Sequence, residues 1–255
     1  MDAKRDLVRI VELENAAKLN NPILVVGLPD AGLVGVIASS FLIDSFKMSE
    51  YAFVDSPLFP PIVVVHKGEP KSPVRLYANS EGTVVAMVSE VPLSLSVVNE
   101  IADAVIKFYL EKRCSLMVTV TGLQAPKRME IEKPRVLAVP STKELDKFLD
   151  QHGVEVMREG FIAGPYAILM KKAVLRKVPN ILFLAESYYA YPDPGAAASV
   201  LEVMAKMFNL PIDVKPLLEQ AEEIRLKARE LMQKTKPVLA QSEKSHELSL
   251  PIMYA

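Results

Sequence analysis

Three short apolar runs constrain this chain more than any other feature: residues 23–28 (ILVVGL), 115–120 (SLMVTV) and 181–185 (ILFLA). A strand with one wet face alternates apolar and polar side chains. These runs do not alternate, and they are rich in branched residues, so they read as strands covered on both faces. Helical patterns recur between and after them. That recurrence of apolar strand, loop and helix predicts a single α/β domain whose mainly parallel or mixed central sheet is flanked by helices.

Further strands are expected at 7–13, 51–54, 62–66, 75–78, 83–89 and 136–139. Helices are expected at 31–46, with Gly32 and Gly35 in the first turn, and at 142–150, 164–174 and 196–208. Ser94 or Ser96 can cap a helix reaching about Lys112, whose apolar side carries Val97, Val98, Ile101, Ala104, Val105 and Phe108. No internal repeat is visible. The body is assigned to 1–212, an amphipathic helix to 213–236 and a flexible tail to 237–255. Pro216 suits a helix start. Leu217, Ala221, Ile224, Ala228 and Leu231 then recur at spacings of four and three, a narrow coiled-coil-like seam. Such a helix either lies on its own domain or pairs with a neighbouring subunit.

Composition removes several functional classes. A formal charge of −1 over 255 residues provides no basic field for nucleic acid or an anionic membrane. Cys114 is the only cysteine, which rules out an internal disulfide framework and a cysteine zinc cage. The three histidines, at 66, 152 and 246, do not cluster in sequence, and neither metal nor cofactor is expected. Residues 22–43 are apolar enough to suggest a membrane span. They are interrupted by Pro29 and Asp30, and each half is shorter than the roughly 20 residues a span needs. The first residues lack the apolar core of a signal peptide, so a cytoplasmic protein is expected. Glu and Lys (21 and 20) far outnumber Asn and Gln (7 and 5), a bias that leans towards a thermophile.

Two loops sit where α/β sheets bind ligands. Gly27-Leu-Pro-Asp30-Ala-Gly32-Leu-Val-Gly35 follows a strand and opens a helix, so its amides could greet an anion. A phosphate loop would need Lys and then Ser or Thr after the second glycine; Leu33 and Val34 stand there, and the dinucleotide spacing also fails. Glycines that let helix and strand pack closely explain the segment better. Glu186-Ser-Tyr-Tyr-Ala-Tyr191-Pro-Asp193-Pro-Gly195 likewise follows a strand and precedes a helix. Its tyrosines and carboxylates can line a pocket; alternatively, Asp193 caps the next helix and the prolines shape the loop. No Gly-x-Ser-x-Gly elbow is present. Cys114 opens a buried-type strand and reads as an inert thiol.

The chain ends Met253-Tyr254-Ala255: hydrophobic, tyrosine, any residue, free carboxylate. Such an ending can act as a peptide key, with the apolar and phenolic side chains in a groove and the carboxylate on a lysine. Alternatively, Leu248, Leu250, Ile252 and Tyr254 alternate like an edge strand docking on its own sheet.

Over residues 23–236 the chain resembles the proteasome assembly chaperone family in its archaeal form. The likeness is carried by the Gly27–Gly35 segment, Phe59-Pro-Pro61, Gly68, Pro73, Tyr77, Ser89-Glu90, Thr121-Gly122 and Pro192-Asp-Pro-Gly-Ala-Ala197, in order and spacing. The resemblance implies a fold related to nucleoside phosphorylases without an established catalytic site. It also implies a homo-oligomer, and a C-terminal tail that docks between α-subunits of the proteasome core particle through Met253, Tyr254 and the Ala255 carboxylate. The contrasting expectation is a nucleoside- or small-metabolite-binding enzyme using Gly27, Asp30, Gly32, Gly35, Glu186, Tyr191 and Asp193. A third is a structural oligomer whose tail packs on itself.

Overall fold

The computed structural model describes residues 7–224 and 226. A nine-stranded sheet runs through it, built from β1 (Arg9–Glu12), β2 (Ile23–Gly27), β3 (Ser49–Asp55), β6 (Val74–Ala78), β7 (Val84–Ser89), β8 (Leu116–Gln124), β9 (Val136–Pro140), β10 (Glu155–Val156) and β11 (Asn180–Ser187). A separate hairpin comprises β4 (Val64–His66) and β5 (Glu69–Lys71). The helices are α1 (Val34–Ser45), α2 (Leu95–Glu111), α3 (Lys143–Gln151), α4 (Pro165–Arg176), α5 (Pro194–Phe208) and α6 (Lys215–Glu219).

Strand order in the sheet is β1-β3-β6-β7-β2-β8-β11-β9-β10. The continuous apolar runs occupy its centre, where β7, β2, β8 and β11 are mutually parallel. Antiparallel pairing takes over on both flanks, at β1–β3–β6–β7 and at β11–β9. The sheet is therefore mixed. One face is covered by α2 and α4, around Leu24, Val26, Ile101, Val105, Met117 and Leu182; the other by α1 and α5, around Val25, Ile37, Val118, Phe183 and Leu201. Alternate residues of one strand thus enter opposite cores, which is why the central runs had to be apolar throughout.

Ser94 caps α2, its hydroxyl accepting from the Val97 amide, and Thr142 caps α3 in the same way. The apolar side of α2 also includes Ala102, Ile106 and Tyr109. Three elements had no clear sequence signal: β5, the two-residue β10 and a 3-10 turn at Arg128–Glu130. The expected continuous helix at 31–46 is interrupted. Residues Ala31–Leu33 form a 3-10 turn, Gly32 and Leu33 both have positive φ (63° and 50°), and α1 starts only at Val34. The α6 segment starts at Lys215, with Pro216 in its first turn, and residues 221–224 are helical beyond a turn at Gln220. Leu217 and Ile224 pack on the domain's own core. Ala228, Leu231 and the tail lie outside the described residues. Among the described residues, no helix is long and apolar enough to cross a membrane. Cys114 is buried, and burial pushes its thiol up to about 12.

Helix α1 meets the sheet at unusually short range. A methyl group at Gly27 would overlap the Gly35 carbonyl oxygen and the Ser39 hydroxyl, and one at Gly35 would overlap the Val120 carbonyl oxygen and the Tyr166 hydroxyl. Tyr166, fully buried in the first turn of α4, completes the junction. Its hydroxyl donates to the Leu28 carbonyl at 3.0 Å and accepts from the Leu28 amide at 2.7 Å. One side chain therefore satisfies both backbone groups of the buried residue that follows β2. Gly35→Ala is expected to lower stability by more than about 2 kcal/mol, since backbone blocks the new methyl. Tyr166→Phe should cost about 1–3 kcal/mol by leaving Leu28 unsatisfied. Urea midpoints at constant slope check both.

Candidate functional site

The carboxyl ends of β2, β8 and β11 meet at one end of the sheet, beside the point where chain connections switch direction around β2. Three loops converge there. The first, after β2, carries Asp30 and Gly32. Its Gly32 amide donates to the Tyr189 carbonyl (3.2 Å), and its Gly32 carbonyl accepts from the Asp193 amide (2.8 Å). A side chain at Gly32 would meet both positive φ and the Tyr188 carbonyl oxygen, so glycine is required on two counts. Gly122 in β8 is similarly crowded, by the Ser187 hydroxyl and the Ala31 carbonyl oxygen.

Asp30 is half-buried, and Thr121 Oγ1 donates to its carboxylate at 2.7 Å. Desolvation by burial is the larger effect and raises its pKa, although the Thr121 hydroxyl and the Ala31 amide oppose the rise. Asp193 is fully buried. It caps α5 by accepting from the Ala196 amide (3.0 Å), and it also accepts from the Tyr188 amide (3.2 Å). Arg128 grips the same carboxylate in a two-pronged pair, Nε–Oδ2 at 2.8 Å and Nη2–Oδ1 at 3.0 Å, and its third nitrogen donates to the Ile131 carbonyl at 2.6 Å. The guanidinium lies over the Tyr188 ring, 5.3 Å from its centroid, and is only 7 % exposed.

Of the sequence candidates, Gly27, Asp30, Gly32, Gly35 and Asp193 come together in this assembly. Glu186 faces elsewhere: its carboxylate accepts from the Arg135 amide at 3.0 Å, tying β11 to the start of β9. Tyr191 stands half-exposed on the wall of a neighbouring cavity of about 460 Å³, with Pro126, Arg128, Met129, Tyr188 and Pro192. Met253, Tyr254 and Ala255 lie outside the described residues. Arg128 was missed because its partner is 65 positions away and its own loop carries no local signal.

The arrangement holds loops more readily than it handles a substrate. Every oxygen of Asp193 is engaged by protein donors, and Asp30 presents negative charge where an anion would sit. His66, on the β4–β5 hairpin, pairs with Glu90 just past β7, and His152 bonds the Phe148 carbonyl at the end of α3; neither is a hydrogen-bond partner of Asp30, Arg128 or Asp193. Among the described residues, no three His, Cys, Asp or Glu side chains gather as a metal site. Large apolar side chains remain exposed nearby or on the loop leading into α4: Met129 (87 %), Phe161 (98 %), Tyr189 and Tyr191. Such exposure suits a surface that contacts another protein.

Comparison with known proteins gives a consistent result. A family model described as the PAC2 family matches residues 24–232. An uncharacterized protein of Methanocaldococcus jannaschii is 29 % identical over 243 residues, covering 95 % of this chain and 98 % of the relative. Among solved structures, Pyrococcus furiosus PbaA, an archaeal homologue of proteasome-assembly chaperone, superposes with a TM-score of 0.81 at 28 % identity, covering 90 % of this chain and 98 % of its own. Pyrococcus furiosus PbaB, an archaeal proteasome activator, does so with a TM-score of 0.74 at 28 % identity, covering 89 % and 99 %.

Two outcomes follow from the loop geometry. Arg128→Ala strands a buried carboxylate and should cost about 3–5 kcal/mol in urea unfolding, with strong non-additivity when Asp193 is also replaced. For Asp30, a raised folded pKa means that its contribution is most favourable below the ordinary carboxylate range and is lost as pH rises through the folded value. The stability of the native chain relative to Asp30→Asn should therefore fall with rising pH across that window and level off above it. Thermal melts of both proteins from pH 3 to 8 measure this.

Proposed function

The chain belongs to the PAC2 family, and from that membership we propose that it is a proteasome assembly chaperone or activator-like protein that binds α-subunits of the core particle. In this reading a homo-oligomeric body presents several C-terminal tails. Met253 supplies the apolar filler, Tyr254 the buried anchor and the Ala255 carboxylate the charged end. The observation that carries the reading is near-full-length similarity to PbaA and PbaB, both described in proteasome terms, in a chain that itself ends hydrophobic–tyrosine–any.

Supporting features are physical. The polar groups at the carboxyl ends of the central strands are consumed in bracing loops, and large apolar side chains are left on the surface. A protein whose task is contact needs such a rigid frame rather than a reactive pocket. Several tails on one body gain from effective concentration, so individually weak keys can hold collectively. The reading assigns no reaction to the chain.

The direct test is capture of recombinant α-subunit rings by the full chain and by a chain ending at Ile252. Removing the last three residues is expected to abolish most of the association, and undiminished capture would sink the tail model. Tyr254→Ala alone should weaken binding by about 2 kcal/mol or more, the usual loss for a buried aromatic anchor. Titration by calorimetry against the rings reads that value.

A further inference from the structure

The β4–β5 hairpin is the part of the described structure that neither core explains. It is a two-stranded ladder outside the main sheet, pairing Val64 with Lys71, Val65 with Pro70 and His66 with Glu69. Lys67 and Gly68 form its two-residue turn, both with positive φ (51° and 83°), as the tight turn matching strand twist requires. The hairpin is held in place from one side. His66 Nε2 lies 2.8 Å from Glu90, Lys71 Nζ lies 3.5 Å from Glu50, and buried Arg75 pairs with both glutamates.

Its two edges differ. A two-residue turn makes the flanking His66–Glu69 pair hydrogen-bonded, so the antiparallel alternation leaves Val65–Pro70 as the non-bonded pair. The backbone of those two residues therefore faces outward. On the β5 side the outward donor is missing, because proline has no N–H. On the β4 side the Val65 N–H and C=O are both present, and no backbone hydrogen bond joins Val63 or Val65 outward to another described residue. Val63 and Val65 share one face, and each is 64 % exposed. An open apolar strand edge of this kind invites another strand.

We propose that the outer edge of β4 is a self-association surface, on which a second copy of this chain pairs its own β4 antiparallel across a two-fold axis at Val65. The edge is self-complementary in that register. Each Val65 lies beside its symmetry mate and each Val64 beside His66 of the other copy, so no like charges face each other, and the turn at Lys67 ends the ladder. Pro70 closes the far edge, which stops the pairing at a closed pair of hairpins rather than a fibre. So short an edge gives a weak, concentration-dependent contact. The proposal deepens the self-association part of the proposed function and rests on that part alone.

A cysteine at Val65 tests it in the full chain. Facing residues across such a pair have Cα atoms about 4.5–5.5 Å apart, within disulfide reach. Cys114 is buried with its thiol pushed up to about 12, so it contributes no background. Under mild oxidation Val65→Cys is expected to form covalent dimers at least about tenfold faster than Glu69→Cys on the opposite strand. Val65→Pro removes only an outward N–H, as Pro70 already does, and should shift sedimentation to smaller species while leaving the circular dichroism spectrum unchanged. Equal cross-linking rates for the two cysteine variants, or an unchanged sedimentation profile for Val65→Pro, would overturn the proposal. Neither assay contains a proteasome subunit, so those results leave tail docking standing; a native chain that sediments as a monomer at every concentration overturns self-association itself.

Discussion

The rest of this structure depends on how closely α1 approaches the ends of β2 and β8. Gly27 and Gly35 permit that approach, and the Tyr166 hydroxyl fills the remaining space by bonding both backbone groups of Leu28. With Leu28 satisfied, β2 can stop inside the protein without leaving a dry amide or carbonyl. The chain then turns within a few residues, through Asp30 and the positive-φ pair Gly32 and Leu33, before the helix begins. A larger residue at either glycine would push α1 outward. That displacement would break the Gly32 contacts with Tyr189 and Asp193 on which the next loop rests.

From that junction the order spreads by polar links rather than by further apolar packing. Asp193 joins the loop after β11 to the first turn of α5, and Arg128 ties the loop after β8 to the same carboxylate. Burying such a pair is expensive in desolvation and gains little net stability, so its consequence is geometric: three loops have one arrangement in which no charge is stranded. The outer side of this frame carries Tyr188, Tyr191 and Met129 around a cavity. A braced frame beneath apolar side chains is what a contact surface needs, because ordering those loops then adds nothing to the cost of binding.

The antiparallel flank follows a different logic. Beyond β7, the strands β6, β3 and β1 continue the sheet beneath α2, where Tyr51 meets Phe108 edge-on, and a polar layer of Arg75, Glu50 and Glu90 lies where the hairpin is attached. The hairpin strands are too short to be stable alone. Ion pairs to Glu50 and Glu90 hold them against the body, and their apolar valines face out.

Much of this was legible in the residues themselves. The central strands were readable because a strand covered on both faces must be apolar at every position, and helix α2 because its apolar side recurs behind a capping serine, which the structure identifies as Ser94 rather than Ser96. The glycines at 27 and 35 also reported close packing. Elsewhere local signals failed: 31–46 looked like one helix, since nothing nearby records that Gly32 must turn left-handed to reach Tyr189 and Asp193. Glu186 and Asp193 look like carboxylates of one pocket lining because they are near in sequence; the strand instead directs the Glu186 carboxylate to the Arg135 amide. By itself, the sequence determined the α/β class, the apolar centre of the sheet and the character of the chain's last residues, because these depend on composition and short-range periodicity. Only the tertiary structure decided that Arg128 would be the counter-ion of Asp193, that Tyr166 would end β2, and that one hairpin edge would stay open. Those depend on contacts between residues far apart in the chain, and in the proline-guarded hairpin on which backbone groups the register leaves facing out.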